Sequence, residues 1–591
     1  MKKLNSMLNQ IKLLWKDIAV FALIASCIGY MHLCNGWSSL GLFWLCEFCT
    51  FILFDTTVLI LGTYVLSLGY KRIAYTFAFV LTLSWILLNV YYYRFFDQYF
   101  NFRDFGEAKN LKDAVVWDSV FSAIQISDIF LLAITILFVL LIIKIKPDCL
   151  TFAERFRRLK IFVMLPLLMV VIYGTERTLM DAALAIRDSD RKAKLLQGWD
   201  YTYIHKRNIQ HRGLFCGQLY DDAIVTRDDK TLTDEEKASV EQYCKQLSAD
   251  IRCTDKKLHD SITKNFVFIL LESALSCPIG EVIDGVEITP NLNALIRESG
   301  TYYNGMCKDN IGIGQSFDGQ FIYHTGLLPL TGKLTSTYVV DNKLKALPLF
   351  LKEKYGIQTA TMAIPTGPDM WRQNEMCRLY GYDVLLSAST VGKAVGDGGQ
   401  WINLNDSLLI NMLIDNVGDE KFEEPFLHTI LTMSTHGPYD VVKHDANMPT
   451  HLSYSLLMNN YFKHYHYSDR QLGRYFEFLK SKGAYNNSII VIVSDHTVHA
   501  QYLNMSKEEI GNGYLPFIIA HAGIDSDKCW KGEMNQLDVF PTILDLLELE
   551  TDWYGLGSSV LDKENYCNRV NETTQKISDL IIESNYWKEE H

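Results

Sequence analysis

The stretch Asn487-Ser488-Ile489-Ile490-Val491-Ile492-Val493-Ser494-Asp495-His496 decides how the second half of this chain folds. A short apolar run rich in β-branched residues, bounded by polar ones, predicts a strand buried on both faces. It closes on Asp495-His496, and an Asp-His pair held at the carboxyl end of a rigid strand is a metal-ligand arrangement. A second apolar run, 265–271, also ends in an acid, Glu272. Further along, Gly312-Ile-Gly314-Gln-Ser316 offers a hydroxyl on a glycine-rich turn whose backbone N–H groups are placed to meet phosphate. Carboxylate, hydroxyl, Asp and His together are what a divalent cation needs to activate an oxygen nucleophile.

Outward from these strands the pattern alternates. Thr289-Pro290 opens a helix with proline in its first turn, and 357–363 and 426–433 read as further buried strands. An amphipathic helix over 467–479 leads into the 489–493 strand, with another strand at 516–520 and a helix at 538–547. Alternation of this kind predicts an α/β domain with a mainly parallel central sheet, whose sites form at the carboxyl ends of strands. The segment 176–261 is polar and of mixed charge, with a capping-box start at Thr233-Asp-Glu-Glu236, and reads as a helical linker.

The first 175 residues are of another kind. Five apolar runs, near 18–34, 43–68, 73–92, 129–145 and 159–173, predict an α-helical membrane domain of five transmembrane helices. Lys2, Lys3, Lys12 and Lys16, then Lys71 and Arg72, then Lys144 through Lys160 fall on one side, which the positive-inside rule makes cytoplasmic. An odd number of spans puts the rest of the chain outside. Three domains follow: 1–175 in the membrane, 176–261 as linker, and 262–591 as an extracytoplasmic catalytic domain. The near-zero mean hydropathy of +0.03 averages two unlike parts. A net charge of -12 speaks against a nucleic-acid partner, which would call for a basic face. Of the 13 cysteines, Cys216, Cys244, Cys253, Cys277, Cys307, Cys377, Cys529 and Cys567 follow the last span, where pairing and buried reduced thiols are both open.

Read in order, Leu271-Glu272-Ser273, Thr289-Pro290-Asn291-Leu292, Gly314-Gln-Ser316, Ser434-Thr-His436-Gly-Pro-Tyr439, Ser494-Asp495-His496 and Leu537-Asp538-Val-Phe-Pro541-Thr542 form a set. With five preceding spans, the chain resembles the lipoteichoic acid synthase family, a branch of the sulfatase and alkaline phosphatase superfamily. The resemblance implies a sulfatase-like catalytic domain at a bacterial cell membrane. It makes Glu272, Ser316, Asp495 and His496 ligands of one divalent cation, Mn²⁺ first, with Mg²⁺ or Zn²⁺ as alternatives. Ser316 falls where the family carries its nucleophile, commonly threonine. The implied reaction moves a phospho-headgroup from a membrane phospholipid donor to an extracytoplasmic glycan or lipid acceptor through a covalent intermediate. His436 and Trp371 match substrate-contacting residues. Two residues after Trp371 the family places arginine, where this chain has Gln373. Glutamine does not reproduce a bidentate charged contact, so phosphoethanolamine stands beside glycerol phosphate as the transferred group.

Each of these residues also has a plainer reading. Ser273 and Ser276 compete with Ser316 by lying near Glu272, and His436 before Gly-Pro can simply satisfy a loop carbonyl. His499 reads as a surface residue rather than part of a second metal site. Asp55 within the second span either faces a cavity or bonds another helix. The competing functions are a hydrolase of the same fold and a non-catalytic scaffold. No Cys/Ser-x-Pro-x-Arg sequence supports a sulfatase, and retention of four ligand residues speaks against a scaffold.

Overall fold

A computed structural model describes residues 2–34, 42–67, 70–96, 99–100, 104–105, 112–113, 116–117, 120–121, 123–145, 231–251, 264–391, 403–418, 422–439, 448–503, 510 and 513–588. They divide into two compact units.

The first unit is helical: α1 (Lys2–Cys34), α2 (Leu42–Leu66), α3 (Lys71–Phe96) and α4 (Ile129–Ile142). These coincide with the first four predicted spans, while the fifth, 159–173, lies outside the described residues. Two stretches, Trp15–Cys34 and Lys71–Arg94, are long and apolar enough to cross a membrane by length and composition; Asp55–Leu66 and Ile126–Ile142 are shorter apolar helices. Val20, Ile24, Phe79, Val90, Ile134 and Phe138 form the core of this unit. Asp55 is fully buried in it, which settles that residue as inward-facing. The Lys71 ammonium pairs with Asp17, and Lys16 donates to the Lys144 carbonyl, so basic residues from three of the clusters gather at one end.

The second unit is an α/β/α sandwich. Its strands are β1 (Asn265–Leu271), β2 (Val282–Ile283), β3 (Val286–Glu287), β4 (Tyr302–Lys308), β5 (Thr359–Ala363), β6 (Val384–Leu386), β7 (Phe426–Leu431), β8 (Ser488–Ser494), β9 (Leu515–Ala520) and β10 (Met534–Asn535). Eight form one sheet, in the order β10-β4-β9-β8-β1-β7-β5-β6; β2 and β3 make a separate hairpin. All neighbours pair in parallel except β9, which runs against both β8 and β4. The expectation of a mainly parallel sheet therefore holds at its centre.

Strand period explains the layers. Along β1, Phe266, Phe268 and Leu270 enter one core, while Val267, Ile269 and Leu271 enter the other. β8 divides the same way, Val491 and Val493 to the first core and Ile490 and Ile492 to the second. On the first face lie helices α7 (Ser316–Thr325), α14 (Val539–Leu546) and α15 (Glu572–Glu583); on the second lie α6 (Pro290–Arg297), α11 (Asp406–Val417) and α12 (Leu456–Ser481). Each fully buried Leu, Ile, Val or Phe contributes about 1.5–3 kcal/mol, so the central strands anchor the unit.

The segment read as a linker is not all linker. Its helix α5 (Asp234–Ile251) puts Val240 and Leu247 into the first core, and the Tyr243 hydroxyl hydrogen-bonds Thr574 on α15 at 2.8 Å. Its start is the predicted capping box: the Thr233 amide donates to Glu236 at 3.0 Å and the Glu236 amide to the Thr233 hydroxyl at 3.2 Å. Among the described cysteines outside the helical unit, Cys277, Cys307, Cys377 and Cys567 carry free thiols, and Cys307, Cys377 and Cys529 are buried. Cys216 and Cys253 lie outside the described residues.

Candidate active site

Register brings the acids together. β1 and β8 pair in parallel with Leu271 opposite Ser494, so the residues that follow, Glu272 and Asp495, leave adjacent strand ends side by side. The Asp495 amide donates to the Leu271 carbonyl at 3.0 Å, extending the ladder one residue into the site. Ligand atoms of Glu272, Asp495 and His496 all lie within 4.8 Å of one another, and the three residues are buried. His496 Nε2 is 3.5 Å from Glu272 Oε1 and 3.7 Å from Asp495 Oδ2. The other ring nitrogen, Nδ1, sits 2.7 Å from the Thr497 carbonyl. As that nitrogen can only donate there, Nε2 is the one turned to the acids: it donates to them when the ring is protonated and offers its lone pair to a cation when it is not.

Two buried carboxylates this close repel. Burial and then the Glu272 charge push the Asp495 carboxyl up. Burial also pushes Glu272 up, but the positive charge of the His496 and His436 rings, with hydrogen bonds from Asp495 and Ser273, holds that carboxyl below its usual range. For His496, burial lowers the pKa while Asp495 and then Glu272 raise it further, to a net increase. A cation at the centre of this hard oxygen and imidazole set would relieve the repulsion, so the residues fit a divalent metal.

Ser316 completes the group. It heads α7, with its Oγ 3.2 Å from Glu272 Oε2 and 3.1 Å from His496 Nε2. The competitors are placed otherwise: Ser276 donates to the Gly305 carbonyl at 2.7 Å, and Ser273, buried, donates to Glu272 Oε1 at 2.7 Å. Ser316 is only half-buried and stays within reach of a substrate.

The glycine-rich turn works differently from the sequence expectation. The Gly312 and Gly314 amides both donate to Asp318 Oδ2, at 2.9 and 2.8 Å, so they are turned inward and unavailable to phosphate. Asp318, fully buried two residues past Ser316, is thus the organiser of the turn. A Cβ on Gly314 would fall 2.3 Å from Asp318 Oδ1, and one on Gly319 would fall 2.0 Å from the Asp495 carbonyl oxygen. Glycine at 319 lets α7 press against the Asp-His strand end. Strain accompanies this closeness: Gln315 before the hydroxyl and Ser273 after Glu272 have φ of 50° and 46°. Left-handed non-glycine residues cost about 1–3 kcal/mol each and persist where surroundings over-determine them.

Residues that motif reading passed over hold the strand ends. The Gln536 amide donates to the Asp495 carbonyl at 2.7 Å and to Tyr323 at 3.0 Å. Asp309, just past β4, accepts from the Thr497 amide at 3.3 Å. Asp406 accepts from the Met433 and Ser434 amides at 2.7 and 3.1 Å, fixing the loop that carries His436. None stands in a metal-ligand pattern; the only signal was isolated polar residues beside motifs. Asp538, within a recognised motif, serves structure instead, accepting from Ser558 and Asn535 amides and the Tyr566 hydroxyl at 2.9 Å each.

His436 is half-buried, its Nδ1 2.6 Å from the Gly437 carbonyl, so the plainer reading of that nitrogen holds while the ring still acts on Glu272. His499 is not remote: its ring centroid lies 5.6 Å from that of His496. Trp371 sits in the loop after β5, half-buried against the first core. Trp371 and Arg372 are both left-handed, with φ of 49° and 56°. Gln373 is buried and donates to Gln320 at 2.9 Å, one turn beyond Ser316 on α7.

A mainly parallel α/β sheet whose strand ends gather a Glu, an Asp-His pair and a hydroxyl at the head of a helix defines a sulfatase-like domain. The family model described as Sulfatase matches residues 264–549, and that described as Lipoteichoic acid synthase N-terminal domain matches residues 1–227. Between them the two models match both halves of the chain, which is thus similar to the lipoteichoic acid synthase family. Curated relatives include lipoteichoic acid synthase 2 of Bacillus subtilis, 28% identical over 81% of this chain and 72% of that protein. Another is the lipoteichoic acid synthase of Staphylococcus saprophyticus, 25% identical over 87% of this chain and 78% of that one. Among solved structures, the integral membrane lipooligosaccharide phosphoethanolamine transferase A of Neisseria meningitidis superposes with a TM-score of 0.50 at 14% identity. It covers 93% of this chain and 99% of its own, a likeness of fold.

Proposed function

We propose that this chain transfers a phospho-headgroup, phosphoglycerol or phosphoethanolamine, from a membrane phospholipid to an extracytoplasmic glycan or lipid acceptor. The observation that carries this is the convergence of the reachable Ser316 hydroxyl on Glu272 and His496 at the head of α7. That the chain is a phosphotransferase agrees with relatives named as lipoteichoic acid synthases.

Glu272, Asp495, His496 and the Ser316 oxygen would hold one divalent cation, Mn²⁺ before Mg²⁺ or Zn²⁺. When bound, it supplies positive charge that eases ionisation of the hydroxyl and offsets charge on the phosphate. Ser316 Oγ attacks the donor phosphorus; the P–O bond to diacylglycerol breaks, and the leaving oxygen takes up a proton. The headgroup is then held on Ser316 as a phosphodiester. In the second half an acceptor hydroxyl attacks the same phosphorus, loses its proton, and returns the serine oxygen protonated. His436 contacts the phosphate and is placed to give or take that proton, while Trp371 lines the headgroup side.

Five spans with the amino terminus in the cytoplasm set this chemistry at the outer face of a bacterial cell membrane. The gathering of Lys16, Lys71 and Lys144 at one end of the helical unit supports that orientation. In this reading the membrane domain is 1–175, and 262–591 carries the catalytic residues.

The deciding assay uses full-length protein purified in detergent, with fluorescent phosphatidylglycerol or phosphatidylethanolamine and Mn²⁺, Mg²⁺ or Zn²⁺. Diacylglycerol release is expected with one donor, together with a headgroup mass on Ser316 when acceptor is withheld. No release with any metal would sink the transferase reading. Free headgroup phosphate in place of an acceptor product would make the chain a hydrolase.

A further inference from the structure

We propose that Asp113 is a positioning residue for the substrate-side loop after β5, reaching it from chain that interrupts the helical unit. This rests on the transferase reading above. The segment Arg103–Ser119 is flanked on both sides by the helical unit, yet it belongs to the second unit. Asp113 is 2% exposed, and its Oδ2 accepts a hydrogen bond from the Gly367 amide at 3.0 Å. Lys112 adds an exposed ion pair to Asp369 at 3.8 Å, too solvated to matter much by itself.

Gly367 begins the turns that shape the loop. Its carbonyl accepts from the Met370 amide at 3.1 Å, the Asp369 carbonyl from Arg372 at 3.0 Å, and the Pro368 carbonyl from Asn374 at 3.0 Å. Those turns throw Trp371 and Arg372, in succession, into the left-handed region. Two consecutive strained residues need their loop held at both ends. One end is Gln373, bonded to Gln320 on the helix that Ser316 heads. Asp113 holds the other. A buried carboxylate on a backbone N–H is a strong tether, and deleting it leaves the amide unsatisfied. Asp113 acts on the backbone of the loop that bears Trp371, so its effect falls on headgroup binding.

The test uses the full chain in detergent, wild type against Asp113→Ala and Asp113→Asn, with diacylglycerol release measured over a range of donor concentrations. Asp113→Ala is expected to raise KM for the donor about five- to tenfold with kcat within about twofold. Asn keeps an acceptor oxygen and should restore most of that loss. A fall in kcat at unchanged KM would mean only a smaller folded fraction, a merely structural role, and would overturn the proposal. Hydrogen exchange gives a readout independent of turnover: the Gly367, Met370 and Arg372 amides should exchange about tenfold faster in Asp113→Ala than in wild type. Unchanged exchange there would overturn the proposal as well. Wild-type protein that releases no diacylglycerol fails the transferase reading, and the exchange result then decides the tether separately.

Discussion

The carboxyl ends of β1 and β8 and the carboxyl end of β5 belong to one sheet and are held by different means. At the first, Glu272 and Asp495 are placed by strand register, one residue beyond a fully buried parallel ladder. At the second, Trp371 is placed by a loop of turns whose ends are fastened to Gln320 and Asp113, far off in sequence. In the proposed reaction, chemistry that tolerates little displacement sits on the strands, and contacts that must fit a headgroup sit on the loop. Rigid elements hold a site more closely than loops do, because their dihedrals are fixed by a whole ladder rather than by single bonds.

The largest effect expected on the strand side comes from the proposed nucleophile. Ser316→Ala should lower diacylglycerol release by about 10⁴-fold or more, while Ser273→Ala should cost far less. Should Ser273→Ala prove the more damaging, the assignment of the reactive oxygen is reversed. Next comes the cation. Asp495→Asn or chelation should reduce turnover by about 10²- to 10³-fold, and added Mn²⁺ should restore the chelated protein and raise its melting temperature. Full activity after exhaustive chelation would leave the buried acids without a metal to hold. Gly319→Ala probes the contact of α7 with the strand end, since its Cβ would meet the Asp495 carbonyl oxygen at 2.0 Å. Overpacking costs about 1–3 kcal/mol, so reduced thermal stability and a fall in kcat of about tenfold or more are expected. A fully active Gly319→Ala enzyme would show that the strand end yields. The smallest effect lies outside both regions: Thr233→Ala removes a helix cap worth about 1 kcal/mol, lowering the melting temperature without changing KM.

Much of the catalytic end was legible because its residues follow apolar runs that can only be buried strands. Glu272 and Asp495-His496 were identified from that pattern, and their convergence needed only the rule that sites form at strand ends. Asp318 was not legible, although it stands two residues past Ser316. An acid in the first turn of a helix reads as a dipole partner, and nothing local says that it turns back to take two glycine amides. Gln536 and Asp309 were missed for the same reason: their partners are remote backbone groups. The hairpin of β2 and β3 and the short strands β6 and β10 carry too few residues for a periodic signal.

By itself the sequence determined an apolar helical part, an α/β part and an ordered set of acid, hydroxyl and Asp-His residues. Periodicity and residue chemistry are local properties, and they are written in the chain. Only the tertiary structure decided that Leu271 faces Ser494, that α7 lies against Asp495 through Gly319, and that Asp113 joins the loop bearing Trp371. Each of these is a contact between segments far apart along the chain, set by the register of a buried ladder and by the fit of one backbone against another.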